Sequence, residues 1–375
     1  MMLIGTQVTV VGAGIAGLAL ARALALRGAE VTVLERADAI REVGAGLQIS
    51  PNGTAVIDAL GLGEALRAAG LVNRAVDLRD YRRGRPVLRM DLARHSDGPH
   101  PFVLIHRARL IELLAEGARE AGVSIRLGTE VRPSDPPLPG ESLRIGAEGL
   151  HSQLRATLNG PERAFFTGQA AWRAVIEDDA PAESHVYMGP GRHLVTYPLG
   201  GGLRNIVAVE ERELWTEESW SQPDDPENLR RAFAAFAPEV RGWLEKVEAV
   251  NIWGLFRHPV AETWVSEGWA LLGDAAHPTL PFLAQGANLA LEDAWVLAES
   301  LNALPAAEAL SLYQARRRPR AVRVIEAANG NARNFHLKNP LVRGAAHTVL
   351  RLGGTVAPDA ALRRFDWLYG HDVTV

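Results

Sequence analysis

The chain has 375 residues, 47% of them apolar, and a formal net charge of -4. That length accommodates roughly two domains of about 150 residues, and the mild acidity offers no basic face for nucleic acid, so the expected ligand is a small molecule. The chain has no cysteine, which excludes disulfides, thiolate nucleophiles and cysteine metal sites; the usage fits a reducing, cytoplasmic compartment, and no metal is expected.

Residues 3–26 are apolar enough to resemble a leader or a membrane span, but they lack a basic n-region and are broken by Gly12, Gly14 and Gly17. They predict strand, turn and helix, and no membrane insertion. The β-branched run 7–11, the helical composition of 15–27, the terminating Gly28 and the strand-like run 30–34 complete a βαβ unit. Glycines and a proline in residues 44–52 predict a turn lying against a cofactor, followed by a helix over 54–69. Residues 76–92 alternate apolar and charged side chains around Arg83-Gly84-Arg85-Pro86, the pattern of a hairpin with one wet face.

Helix and strand return over 107–131. From 165 to about 260 the runs 185–188, 193–199 and 205–210 are strand-like, and an acidic segment, 217–227, precedes an amphipathic helix over 229–236. Residues 287–301 and 308–328 are helical, with a short helical tail to 375. The fold expected is α/β: a Rossmann-like dinucleotide-binding domain from residues 1–75, 100–164 and 261–330, a mixed β-sheet substrate domain from 76–99 and 165–260, and a C-terminal tail, 331–375.

In the first turn Gly12 permits a tight bend, Gly14 lets the backbone approach a pyrophosphate, and Gly17 allows close helix–strand packing, while the helix N-terminus favours the anion. Glu35, ending the second strand, can accept both hydroxyls of an unphosphorylated ribose. Together they indicate a dinucleotide without separating FAD from NAD. Arg107 and Arg109 open a helix where the macrodipole disfavours cations by ~0.3–1 kcal/mol each; a bound diphosphate reverses that sign, and a solvated surface pair is the alternative. Far downstream, Gly273-Asp274 ends a strand in a turn where Asp274 can accept from a polyol such as ribitol. Residues 281–288 then run into a helix whose Gly286, Ala287 and Asn288 amides favour the negative charge a flavin gains at N1 and O2 on reduction. Two such turns in one chain predict a flavin held from both ends.

On these residues, with Glu35-Arg36, the 44–52 loop, residues 106–110 and 146–155, and Tyr197-Pro198-Leu199, the sequence resembles the class A flavoprotein monooxygenases of the para-hydroxybenzoate hydroxylase fold, of the salicylate and 6-hydroxynicotinate hydroxylase type. The resemblance implies FAD bound through Gly12, Gly14, Ala16, Gly17, Glu35, Arg36, Leu47, Arg107, the Val131 backbone, Asp274, Gly286, Ala287 and Asn288, with NAD(P)H as a transient reductant. It implies that reduced FAD and O2 give a C4a-hydroperoxide that hydroxylates a small phenolic or hydroxy-heteroaromatic ring, the protein orienting the reactants and excluding water. Pro281 and Phe282 would lie beside the isoalloxazine, and His193, Gln48, Thr196 and Tyr197 would border the substrate. A same-fold flavoprotein acting on a quinone precursor, or a flavin binder without hydroxylase activity, stays open, as does a homodimer.

Two departures from the family pattern stand out. The second Asp-Gly turn of the family appears here as Gly146-Ala147-Glu148-Gly149, one methylene longer, which weakens the NAD(P)H inference, and the 131–142 link is short and proline-rich. Where some relatives place a histidine beside the Tyr-Pro pair, Thr196 stands here, leaving His193 or Tyr197 to polarise a phenol. His277 reads as structural, and Arg173 as a carboxylate contact or a domain-interface ion pair.

Overall fold

The computed structural model describes residues 3–40, 46–93, 97–215 and 222–375, leaving aside the side chains of residues 329 and 331–333. Gly44 and Ala45 of the expected turn, and residues 217–221 of the acidic segment before the 229–236 helix, lie outside the described residues.

A six-stranded sheet runs in the order Val265–Ser266, Trp269–Leu271, Glu141–Gly146, Gln7–Val11, Glu30–Leu34, Ser124–Arg126. Its neighbours are parallel except for the edge pair Val265–Ser266 with Trp269–Leu271. Buried on both faces, parallel strands read as near-continuous apolar runs, and Val8, Val10, Val33 and Ile145 are accordingly buried. The Ile15–Ala25 helix packs on this sheet with the Arg107–Glu120 and Gly286–Ala303 helices in one apolar core. Residues 127–140 form no strand.

An eight-stranded sheet has the order Gln222–Asp224, Val250–Arg257, Phe165–Glu177, Leu203–Glu211, Arg192–Gly200, Glu183–Gly189, Ala75–Asp80, Pro86–Asp91. It is antiparallel except where Glu183–Gly189 meets Ala75–Asp80. The expected 76–92 hairpin is its edge. Side chains alternate between faces with a period of two. Leu194 and Ile206 enter a core with Trp172, Phe233, Phe236 and Leu244 beneath the helices Pro226–Ala232 and Pro238–Glu245. Tyr197 and Leu199 face the other way, against Leu104.

A small three-stranded sheet, Gly46–Ile49, Val103–His106 and Leu71–Val72, lies between the larger two. Gly46 touches the eight-stranded sheet: its amide donates to Asn205 Oδ1 at 2.8 Å, and a Cβ there would stand 2.6 Å from the Tyr197 ring. Only glycine fits that approach. The helix predicted over 308–328 is longer, Ala306–Phe335, and runs through Pro319. A further helix, Pro340–Val356, packs on the Pro86–Asp91 strand.

Candidate functional site

The glycine turn links the Gln7–Val11 strand to the Ile15–Ala25 helix. Gly12 sits at φ +108°, and a Cβ on it would lie 2.4 Å from the Ala147 carbonyl oxygen; one on Gly17 would lie 2.0 Å from the Gly12 carbonyl. Both are glycine for backbone packing. Gly14 differs: its backbone is extended, and a Cβ there would meet nothing within 4 Å. Its bareness serves open space at the mouth of a helix whose first amides receive no side-chain cap. Glu35 closes the turn, accepting from Ala13 N at 2.8 Å and Ala37 N at 2.9 Å. Arg36 is exposed beside it.

The Gly273–Ala275 turn follows the Trp269–Leu271 strand. Gly273 takes φ +60°, and a Cβ there would stand 3.0 Å from Ala16 and 3.3 Å from Ala290. The two turns, distant in sequence, are therefore pressed together. Asp274 is open to the cleft, yet protein surrounds it closely enough that desolvation raises its carboxyl, against the charges of His277 and Arg107. Arg107 thus lies within electrostatic reach of Asp274, at the start of the Arg107–Glu120 helix, whereas Arg109 is exposed and paired with Glu112. Val131 is half-buried in the 127–140 link, and Leu47 and Gln48 are half-buried on the Gly46–Ile49 strand.

The Gly286–Ala303 helix begins behind Ala284, the non-glycine residue with positive φ (53°) among the described residues. Asn288 is buried; its Oδ1 accepts from Ser50 N at 3.0 Å, while its Nδ2 donates to the Gln48 and Ala284 carbonyls. Gln285 bonds Ser50 and Asn52, and Asn52 donates to Glu292 at 2.6 Å. Below them Arg317 donates to Glu292 and Asp293, each at 2.6 Å, and His277 meets Asp293 at 2.5 Å. All four of these ionisable side chains are buried. This polar scaffold, of which sequence reasoning named only Asn288 and His277, fixes where the helix mouth points. Its sequence signal was the pair Glu292-Asp293 between the apolar residues 289–291 and 294–298 of one helical run.

Across the cleft, Phe282 packs with Leu280 on Ala171, Val209 and Trp253 of the eight-stranded sheet. The His193 ring lies 6.1 Å from that of Phe282. Tyr197 is buried four residues further along the same strand, its hydroxyl pushed up by burial against the nearby charge of Arg173. Arg173 stacks over Trp253 at 4.7 Å. Phe282, His193 and Tyr197 thus share one face, with Pro281 next to Phe282 in the chain. Thr196 does not join them. Strand alternation turns it to the opposite face, where its hydroxyl donates to the Asn205 carbonyl and accepts from Arg204, itself stacked on Trp243.

Glu148 is committed elsewhere. Its carboxylate accepts from Ser152 Oγ at 2.5 Å and Gln153 N at 3.2 Å, bracing the start of the Gln153–Asn159 helix. Burial raises its pKa against those bonds and the charge of Arg36. Glu148→Asp, too short for this brace, is expected to cost about 1 kcal/mol of stability, as losing a helix cap does, with bound flavin unchanged. Thermal denaturation alongside flavin absorbance checks both halves.

The FAD binding domain family matches residues 5–136 and 142–328. The chain belongs to this family. It is 34% identical to a 3-amino-4-hydroxybenzoate 2-monooxygenase of Streptomyces platensis, covering 98% of this chain and 96% of the relative. It is 32% identical to a 3-hydroxybenzoate 6-hydroxylase of Polaromonas naphthalenivorans, with the same coverage. Among solved structures, the Klebsiella pneumoniae protein HpxO, complexed with FAD and uric acid, superposes with a TM-score of 0.80 at 26% identity over 94% of each chain. This protein is an FAD-dependent flavoprotein monooxygenase of the aromatic hydroxylase group. The residues fit the cofactor: Gly14 leaves room where a side chain would intrude, uncapped amides suit a diphosphate, and Asp274 presents an acceptor to the cleft.

Asp274→Ala is expected to weaken FAD binding about tenfold or more, the value of a hydrogen bond to a charged acceptor, while the exposed position leaves folding nearly untouched. Flavin release on dilution, followed by fluorescence, measures the first; the melting temperature of the apoprotein measures the second.

Proposed function

We propose that the protein hydroxylates a small ring bearing both a phenolic hydroxyl and a carboxylate, a hydroxybenzoate or aminohydroxybenzoate, using NAD(P)H and O2. The convergence of His193, Tyr197, Phe282 and Arg173 on one face of the eight-stranded sheet carries this reading. Phe282 and Trp253 give a ring its apolar walls. Arg173 supplies positive charge for a carboxylate, and the printed activities of the two relatives are on benzoates.

FAD would be held by the Gly12 to Gly17 turn, Glu35, Arg107, Asp274 and the start of the Gly286–Ala303 helix, with Arg36, Leu47 and Val131 bordering it. Bound and reduced, it supplies the activation of O2 for transfer of one oxygen atom to the ring. The chain's own residues do the rest: Pro281 and Phe282 exclude water at the ring, and Arg173 orients it. His193 takes up the phenolic proton, making the ring carbon electron-rich. In this reading residues 1–75, 100–164 and 261–330 form the flavin unit, 76–99 and 165–260 cover the substrate, and 331–375 form an outer tail.

The test is NAD(P)H oxidation against a panel of hydroxybenzoates, aminohydroxybenzoates and hydroxypyridines, with product mass. At least one carboxylated phenol is expected to stimulate oxidation and gain one oxygen atom. Stimulation by none would discard the reading.

A further inference from the structure

His193 Nδ1 lies 2.6 Å from His336 Nε2, and His336 Nδ1 lies 3.1 Å from Glu211 Oε1. The other Glu211 oxygen is 2.6 Å from Lys338 Nζ. These residues come from two strands of one sheet and from the segment just after the Ala306–Phe335 helix. The Gly191 amide holds His336 in place through its carbonyl at 3.3 Å. Exposure climbs along the series: 2% for His193, 5% for His336, then 34% and 69% for the side chains of Glu211 and Lys338. The line runs from the buried ring of His193, beside Phe282, to solvent.

The hydrogen-bond direction follows from one end. An ionised carboxylate only accepts, and Glu211 is held ionised: burial raises its pKa, but Lys338 and His336 outweigh this and leave it lowered. His336 must therefore donate through Nδ1. Burial holds both imidazoles below their ordinary range, so each is neutral near pH 7. A neutral ring that donates at one nitrogen accepts at the other, so His336 Nε2 accepts and His193 Nδ1 donates. The lone pair left over sits on His193 Nε2, on a ring packed against Phe282. The other charged neighbours do not interrupt the line. Glu210 is taken by Arg192 and Arg212, and Glu213 adds its charge at Lys338, the outer end.

We propose that His193, His336 and Glu211 form a proton path connecting the substrate's phenolic oxygen to bulk water, with Lys338 fixing its outer end. The proposal rests on the phenolic substrate read above. The substrate O–H bond breaks and an N–H bond forms at His193 Nε2. The Nδ1 proton of His193 passes to His336 Nε2, and the Nδ1 proton of His336 passes by Glu211 to water. No electrons change hands, and the substrate is left as a phenolate. Return of a proton to the product oxygen by the reverse sequence restores both tautomers. Here His193 is the catalytic residue; His336 and Glu211 are positioning and relay residues.

Two measurements test it. In substrate-free holoprotein labelled with 15N-histidine, both rings are expected as Nδ1–H tautomers at neutral pH, with the His336 signals assigned by their loss in His336→Gln. A His193 Nε2–H tautomer would overturn the path. The second is stopped-flow absorbance of phenolate formation on binding 3-hydroxybenzoate. His336→Gln keeps a polar side chain that cannot ferry protons, and is expected to slow this step at least about tenfold at pH 7, with FAD content and substrate Kd preserved and added imidazole restoring the rate. A wild-type rate in this variant would also overturn it. If no hydroxybenzoate perturbs or is turned over by the wild-type enzyme, the substrate reading fails instead, and the tautomer measurement still judges the path by itself.

Discussion

Gly14→Val is expected to give a folded protein that purifies without flavin. The backbone there is extended, at φ -80° and ψ -175°, a conformation any residue adopts, and a Cβ would touch no protein atom within 4 Å. The penalty falls on the cofactor alone, because the valine methyl groups occupy the approach to the uncapped helix amides. Forcing methyl groups into filled space costs roughly 1–3 kcal/mol or more, so FAD affinity is expected to drop by about 5- to 150-fold or more. Gly17→Ala makes the contrast. Its Cβ would collide with the Gly12 carbonyl at 2.0 Å, so it is expected to destabilise the apoprotein itself. Titration of apoprotein with FAD and a melting curve of each variant separate the two outcomes; full flavin retention in Gly14→Val would refute the placement of the diphosphate.

Arg317→Met is expected to cost stability on a larger scale. The guanidinium is buried between Glu292 and Asp293 and holds both at 2.6 Å. Removing one member of a buried ionic group leaves charge uncompensated, typically at about 3–5 kcal/mol, equivalent to a fall on the order of 5–10 °C in Tm for a chain of this size. His277 on Asp293, with Arg320 and Asn52 on Glu292, soften the loss. The pH dependence carries the same signature. Burial raises the Asp293 carboxyl, but His277 and Arg317 overcome this and hold it below its ordinary value. The folded state then binds fewer protons than the unfolded one near pH 4, so this stabilisation is present above the unfolded pKa and fades as the pH falls. In Arg317→Met that acid-dependent component is expected to shrink, as denaturant titrations between pH 3 and pH 7 would register.

The two glycine turns were legible in the sequence because each is a local pattern. Gly12, Gly14, Gly17 and Glu35 fall within one βαβ unit, and Gly273-Asp274 announces itself by spacing from the helix that follows. The ring side was only partly legible. Thr196 and Tyr197 are adjacent in the chain, and periodicity of two guarantees that they face opposite ways, but not which of them faces the cleft; the Gly46 contact with Tyr197 decides that. His336 carried no sequence signal at all. It lies beyond a long helix, and its contact with His193 spans 143 positions, a separation that no local pattern encodes. Glu148, conspicuous as a departure from the family turn, proves to be occupied with its own helix.

The buried cluster around Arg317 also sets an order of events during synthesis. The glycine turn is made first, but the start of the Gly286–Ala303 helix is tied to Ser50 and Asn52 through the Asn288 and Gln285 side chains, on a foundation of Glu292, Asp293, Arg317 and Arg320. Until the Ala306–Phe335 helix has emerged, Glu292 and Asp293 lack both arginines, and only His277 stands against Asp293. That corner therefore closes only once residues 317 and 320 have been made.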